Sequence, residues 1–129
     1  MLTRAEIKWL HGLPRTRQRD AEGRFIAEGP KVVGDLLALL PCRLLLATAD
    51  FLQSKAQWSA AEVRELSASE LARVSLLQAP QQVVAVFEKP TPAPWQPTDE
   101  LALALDGVQD PGNVGTIIRL ADWFGIHNI

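Results

Sequence analysis

The sequence predicts a layered α/β fold, and three observations carry that expectation. Segments of strand composition alternate with segments of helical period as far as about residue 88. Two of the helical segments open on the same signature, Thr3 with Glu6 and Ser67 with Glu70, in which each N-cap hydroxyl and the carboxylate three residues on satisfy each other's backbone N–H groups. Pro90, Pro92, Pro94 and Pro97 then interrupt the pattern, which forbids helix and sheet interior and favours a stiff, extended linker. The expected organisation is a first domain over residues 1–89, a linker over 90–98 and a shorter piece over 99–129.

The first helix follows Thr3, with Leu2 and Ile7 as its hydrophobic staple, and Gly12 and Pro14 end it. Residues 15–19 place Arg at every second position with no apolar partner, which predicts an exposed loop. A short strand is expected over 24–28. Gly29 and Pro30 open a second helix with Val32, Val33, Leu36, Leu37 and Leu40 as its apolar stripe, and Pro41 stops it. Residues 44–47 read as a strand buried on both faces, 50–58 as a helix and 63–66 as a strand. The helix after Ser67 pairs Leu66 with Leu71 and turns Leu71, Val74 and Leu77 inward. The strongest strand candidate is 82–88. Beyond the linker, a strand over 101–105 leads through a loop into a helix over 113–124. Asn113 suits its N-cap, Val114, Ile117, Ile118, Ala121 and Phe124 form its stripe, and Gly125 is its left-handed stop. Residues 127–129 open a further strand.

Composition excludes several classes. Of 129 residues, 47% are hydrophobic and 22% charged, which is not the composition of a disordered chain. The longest aliphatic run, 36–40, is far short of the ~20 apolar residues of a membrane span, and charges at the N-terminus stand where a signal peptide has its apolar core. A single cysteine, Cys42, excludes an intrachain disulfide and a multi-cysteine zinc site, and neither His11 nor His127 has clustered partners, so no metal is expected. These readings describe a soluble, cytoplasmic protein. Residues 1–31 hold seven Lys/Arg against four acids, whereas the remainder holds six against eleven. A basic first third on an acidic body points to a polyanionic partner or to an ordinary solvated surface.

Residues 106–125 carry the chemistry. A strand that runs into a glycine-bearing loop and then a helix aims free backbone N–H groups at the loop, where an anion can bind. Gly107, Gly112 and Gly115 are not spaced as a dinucleotide fingerprint, and Asn113 stands where a P-loop requires Lys. Arg119, the only Lys or Arg after Lys89, lies two turns into the helix and shares a face with Thr116 and Trp123. It either pairs with Asp122 on the surface or serves a ligand.

Leu105-Asp106-Gly107-Val108-Gln109-Asp110-Pro111-Gly112-Asn113-Val114-Gly115-Thr116-Ile117-Ile118-Arg119 closely resembles motif 1 of the SpoU/TrmH family, the S-adenosylmethionine-dependent RNA 2'-O-ribose methyltransferases of the SPOUT class. Phe25-Ile26-Ala27-Glu28-Gly29-Pro30-Lys31-Val32-Val33 and Pro80-Gln81-Gln82-Val83-Val84-Ala85-Val86 resemble that family's N-terminal substrate-binding domain. The resemblance implies a three-layer α/β domain like small RNA-binding ribosomal proteins, followed by a truncated piece of a trefoil-knot α/β methyltransferase domain. On this reading the chain is a fragment, inactive alone, of an RNA methyltransferase that works as a homodimer. S-adenosylmethionine is then the cofactor of the full-length protein, with its binding residues beyond Ile129.

The same resemblance puts Asn113 and Arg119 at the catalytic centre. A guanidinium has no lone pair to take a proton at neutral pH, so Arg119 is assigned to clamping phosphate and stabilising negative charge on the 2'-oxygen, and Asn113 to holding the loop. Lys8, Arg15, Arg17, Arg19 and Lys31 are the candidate RNA-binding residues, with ribosomal RNA favoured over transfer RNA. Trp9, Trp58, Trp95 and Trp123 are candidates for base stacking or for packing. Two alternatives stand beside the enzyme fragment. One is a self-sufficient RNA-binding module, and the other an interaction fragment that donates its terminal strand to another chain.

Overall fold

The first helix shows how this sequence builds its elements. In the computed structural model, which describes residues 2–55, 57–94, 96 and 99–129, helix α1 (Arg4–Gly12) starts as expected. The Thr3 hydroxyl accepts from Glu6 N, and the Glu6 carboxylate takes the Thr3 N–H at 2.7 Å. Leu2 and Ile7 sit together against one hydrophobic cluster, as the staple requires.

The expected loop at 15–19 is instead part of a second helix, α2 (Thr16–Glu22), closed by Gly23 in the left-handed conformation. Its anchors are polar, which is why hydrophobic periodicity does not reveal it. Gln18 Nε2 donates to the Trp9 carbonyl and to Glu22, and Trp9 Nε1 donates to Glu22 at 2.6 Å.

Strand β1 (Arg24–Glu28) leads through Gly29, at φ 101°, into α3 (Pro30–Leu37). That helix ends before Pro41, because the amides of Leu39 and Leu40 both fold back on the Leu36 carbonyl. Val33 is fully buried and Leu36, Leu37 and Leu40 pack on the same cluster, but Val32 faces solvent. Strand β2 (Cys42–Ala47), helix α4 (Ala49–Gln53), strand β3 (Val63–Glu65), helix α5 (Ala68–Ala72) and strand β4 (Val83–Glu88) follow. Helix α4 is shorter than the expected 50–58 (Ala56 lies outside the described residues), and Ser54 closes it by donating to the Phe51 carbonyl. Helix α5 is a single capped turn, so Leu71 and Val74 are buried and Leu77 is left exposed.

The sheet order is β1-β4-β2-β3, with β4 antiparallel to both neighbours and β2 parallel to β3. A bulge at Arg43 interrupts the pairing of β2 with β4, so that Cys42 opposes Phe87 and Leu44 opposes Val86. Without it, Cys42 and Leu44 would share a face. With it, Cys42 joins Leu45, Ala47, Val83, Ala85 and Phe87 beneath α3 and α4. Leu44 joins Leu46, Val84 and Val86 beneath α1 and α5. The result is the layered α/β arrangement the sequence predicts, in the three-layer form the resemblance implies. Leu10, Leu13, Leu45, Leu46 and Phe87 are fully buried, and each contributes about 1.5–3 kcal/mol through removal from water.

The chain divides into two compact units, Met1–Thr91 and Pro92–Ile129. In the second unit α6 (Pro111–Trp123) is well formed and Gly125, at φ 69°, follows it as expected. The strands expected at 101–105 and 127–129 are reduced to one bridge, between Ala102 and Asn128, and one hydrogen bond, Leu103 N to Asn128 O at 2.8 Å. A strand requires pairing along its length, and a single bridge does not supply it. The expected stripe is also open: Ala121 is the one buried hydrophobic residue among the described residues of this unit, while Ile118 and Phe124 are 46% and 74% exposed. Trp95, Pro97 and Thr98 of the expected linker lie outside the described residues.

Candidate nucleic-acid interface

Residues 4, 8 and 11 recur at i, i+4 and i+7, so helical geometry puts Arg4, Lys8 and His11 on one side of α1, away from buried Leu10. The turn into α2 brings Arg15 to the same place. These four exposed residues, with Trp9 and Gln18, line a groove of about 610 Å³.

The carboxylates nearby in sequence are committed elsewhere. Glu6 binds the Thr3 amide and Arg64 Nη1, contacts that hold its carboxyl down at about 2. Glu22 accepts from Trp9 and Gln18, and Asp20 pairs with Lys89 at 2.7 Å, a hydrogen bond that lowers the Asp20 pKa. Among the described residues no carboxylate lies within ion-pair distance of Arg4, Lys8, His11 or Arg15. The groove therefore keeps its positive charge.

The structure divides the five cations expected to bind RNA. Lys8 and Arg15 come together in this groove. Arg19 lies in another, of about 550 Å³, beside Leu13, Pro14, Phe25 and Lys89, and its guanidinium donates to Thr16 Oγ1 at 3.3 Å. Arg17 and Lys31 are exposed and line neither. Arg4 and His11 were not among the expected residues, although their helical spacing with Lys8 was available in the sequence. Trp9 and Trp58 are packing residues: both indole N–H groups are taken, Trp9's by Glu22 and Trp58's by the Leu52 carbonyl, and Trp58 stacks on Phe51 at 4.6 Å. Trp95 lies outside the described residues, and Trp123 is 84% exposed on α6.

At the start of α6, Asp110 is the N-cap, with Oδ1 accepting from Gly112 N at 2.8 Å. Asn113, expected in that role, sits one turn inside. Asp caps as well as Asn does, and Pro111 after it is pre-set for the first helical position, so the helix begins earlier. Thr116 Oγ1 donates to the Gly112 carbonyl at 2.9 Å, and Arg119 Nη2 reaches Thr116 Oγ1 at 3.5 Å. Arg119 is exposed and, among the described residues, forms no ion pair with Asp122. Its guanidinium thus keeps donors to spare on the face that Thr116 and Trp123 share.

The MRM3-like substrate binding domain family matches residues 4–85. The chain belongs to that family. Its homologues and structural neighbours are SpoU/TrmH rRNA 2'-O-methyltransferases. It is 28% identical over 133 aligned residues to mitochondrial rRNA methyltransferase 3 of Mus musculus, covering 86% of this chain and 29% of that protein. To the 23S rRNA (guanosine(2553)-2'-O)-methyltransferase RlmP of Bacillus subtilis it is 41% identical over 61 residues, 47% of this chain and 24% of that one.

Among solved structures, one assigned to the TrmH family of RNA methyltransferases from Porphyromonas gingivalis superposes with a TM-score of 0.83 at 46% identity, over 98% of this chain and 50% of that one. The SpoU methyltransferase AviRb of Streptomyces viridochromogenes, in complex with AdoMet, gives 0.75 at 27% identity, over 97% and 51%. The chain thus spans about half the length of these structures and less than a third of either curated relative. No helix among the described residues is long and apolar enough to cross a membrane.

The cavity of the second unit, about 620 Å³, is lined by Ala102, Leu103, Ala104, Leu105, Asn128 and Ile129, a single side-chain amide among aliphatic groups. The lining itself holds no charged side chain, although Asn128 donates to the Glu100 carboxylate at 3.3 Å. Nor, among the described residues, do three or more His, Cys, Asp or Glu side chains gather as a metal site would require.

Proposed function

We propose that this chain supplies RNA binding and the motif 1 corner of the catalytic centre to an S-adenosylmethionine-dependent 2'-O-ribose methyltransferase acting on ribosomal RNA. The observation that carries this reading is Arg119: an exposed guanidinium, two turns into a helix entered through an Asp-Pro-Gly bend, with no acidic partner among the described residues. Membership of the family and the RNA-directed activities named for the relatives support it.

In this reading Arg119 grips the phosphate beside the target ribose in a bidentate manner and offsets negative charge gathering on the 2'-oxygen. Thr116 keeps the guanidinium on that face, and Asn113 holds the turn at the motif's centre. On this reading the 129-residue chain alone is expected to give no cofactor binding by calorimetry and no turnover.

The test is Arg119→Ala in the longer enzyme. Turnover should fall about 10²–10³-fold, while the cofactor dissociation constant, measured by calorimetry, stays within about twofold. An equal loss of both would overturn the assignment. A second reading, a self-sufficient RNA-binding module, draws on one observation: among the described residues, every buried hydrophobic residue except Ala121 belongs to Met1–Thr91. Full RNA affinity in residues 1–91, together with an Arg119→Ala enzyme of normal turnover, would favour it.

A further inference from the structure

We infer that the α1–α2 groove is a sugar-phosphate clamp for single-stranded RNA, with Arg4, Lys8, His11 and Arg15 as its contact residues and Arg17 and Lys31 outside it. The inference rests on the RNA-directed reading above but selects the surface, which neither the family match nor the sequence does. Three features single out this groove. Its cations lie in one row along α1 and across the turn, where a polyanion can meet all of them at once.

The acids close to it in sequence are turned to other duties, Glu6 to Thr3 and Arg64, Glu22 to Trp9 and Gln18, and Asp20 to Lys89. By contrast, the groove that holds Arg19 has its second cation, Lys89, already matched by Asp20. The clamp is also rigid at its base. The Gln18 side chain packs against Gly12 so closely that a Cβ there would collide with it, and its amide ties α2 to the Trp9 carbonyl. A pre-set row of unpaired donors suits backbone phosphates, which repeat and carry no sequence information. Trp9, the aromatic residue of the groove lining, packs on the cluster beneath α1 and is tied to Glu22 through its indole N–H, so the groove grips backbone through its cations.

The experiment measures binding of the 129-residue chain to a fluorescein-labelled single-stranded RNA of about 20 nucleotides across a salt series. Lys8→Ala with Arg15→Ala should weaken binding at least about tenfold at low salt and flatten the plot of log affinity against log salt by about 1.4, at about 0.7 for each phosphate no longer engaged. Arg17→Ala with Lys31→Ala removes the same charge from outside the groove and should change affinity by less than about threefold. The exchange Lys8→Arg with Arg15→Lys keeps both cations and should restore binding and slope, which separates the removal of charge from a failure to fold. Equal losses from the two alanine pairs would overturn the inference, because affinity would then follow net charge alone.

Binding of the unaltered chain to phosphatidylserine vesicles but not to the RNA would overturn it in favour of a membrane surface. If the groove pair leaves RNA binding intact while Arg119→Ala still abolishes turnover of the longer enzyme, the clamp falls and the methyltransferase reading stands.

Discussion

Arg64 on β3 and Glu6 in α1, 58 residues apart in sequence, meet at 2.7 Å through Nη1 and Oε1. The same carboxylate closes the capping box on the Thr3 amide, so one side chain both starts a helix and ties it to an edge strand of the sheet.

That double engagement has a pH signature. The Thr3 amide first, and Arg64 second, lower the Glu6 pKa from 4.5 to about 2. A carboxyl whose pKa is depressed by folding stabilises the native state fully above its unfolded value and loses that contribution as pH falls toward the folded one. The Tm difference between the unaltered chain and Glu6→Gln should be constant above about pH 5.5, shrink below about 4.5 and close near 2. Gln retains the capping geometry, so the difference reports charge. A difference independent of pH would refute the coupling.

Helix α2 depends on Glu22, which receives the Trp9 indole N–H at 2.6 Å and the Gln18 amide at 2.9 Å. Glu22→Ala leaves a half-buried indole donor without its acceptor and should cost about 1.5–3 kcal/mol in urea unfolding. It should also shift the Trp9 indole proton resonance, and Glu22→Gln should recover most of the loss. An unchanged resonance in Glu22→Ala would show that the contact is not formed in solution.

Cys42 lies beneath α3 and α4, and burial pushes its thiol up to about 11. At about pH 8 the native protein should therefore resist a thiol-specific disulfide reagent and release one equivalent only on unfolding. Rapid stoichiometric reaction of the folded chain would contradict this placement.

At the entrance to α6, the roles of two neighbouring polar residues differ. Asp110→Ala removes the cap on Gly112 N and should destabilise the helix by about 0.5–2 kcal/mol, with faster hydrogen exchange at the Gly112 amide. Asn113→Ala should leave that exchange rate unchanged. The opposite pattern would restore Asn113 as the cap.

What could be read from the chain followed the kind of force involved. The two capping boxes are local and written in residue type, so Thr3 with Glu6 and Ser67 with Glu70 form as expected. The strands at 24–28, 44–47, 63–66 and 82–88 are marked by composition and sit within a residue or two of their expected limits. Helix α2 was missed because its anchors are side-chain hydrogen bonds to Trp9, which no periodicity announces. The stripe of α6 and its flanking strands misled for another reason: a hydrophobic pattern states what a segment is prepared to bury, not what lies against it. For the candidate interface, charge alone could not separate Lys8 and Arg15 from Arg17. The distinction depends on where the turn at Leu13 and Pro14 sends the chain.

The extra residue at Arg43 has a last consequence, for how this protein can vary. One strand feeds two oil-filled compartments because its residues alternate, and the out-of-phase step lets the Arg43 side chain emerge toward Glu88 instead of adding to either. Substituting that arginine alters a surface charge. Deleting it would make Cys42 the direct neighbour of Leu44, still opposite Phe87 and still in the compartment beneath α3 and α4, because neighbouring strand residues face opposite sides. At this point the strand tolerates a change of count as well as of letter, and drift should be free to replace this arginine or to lose it.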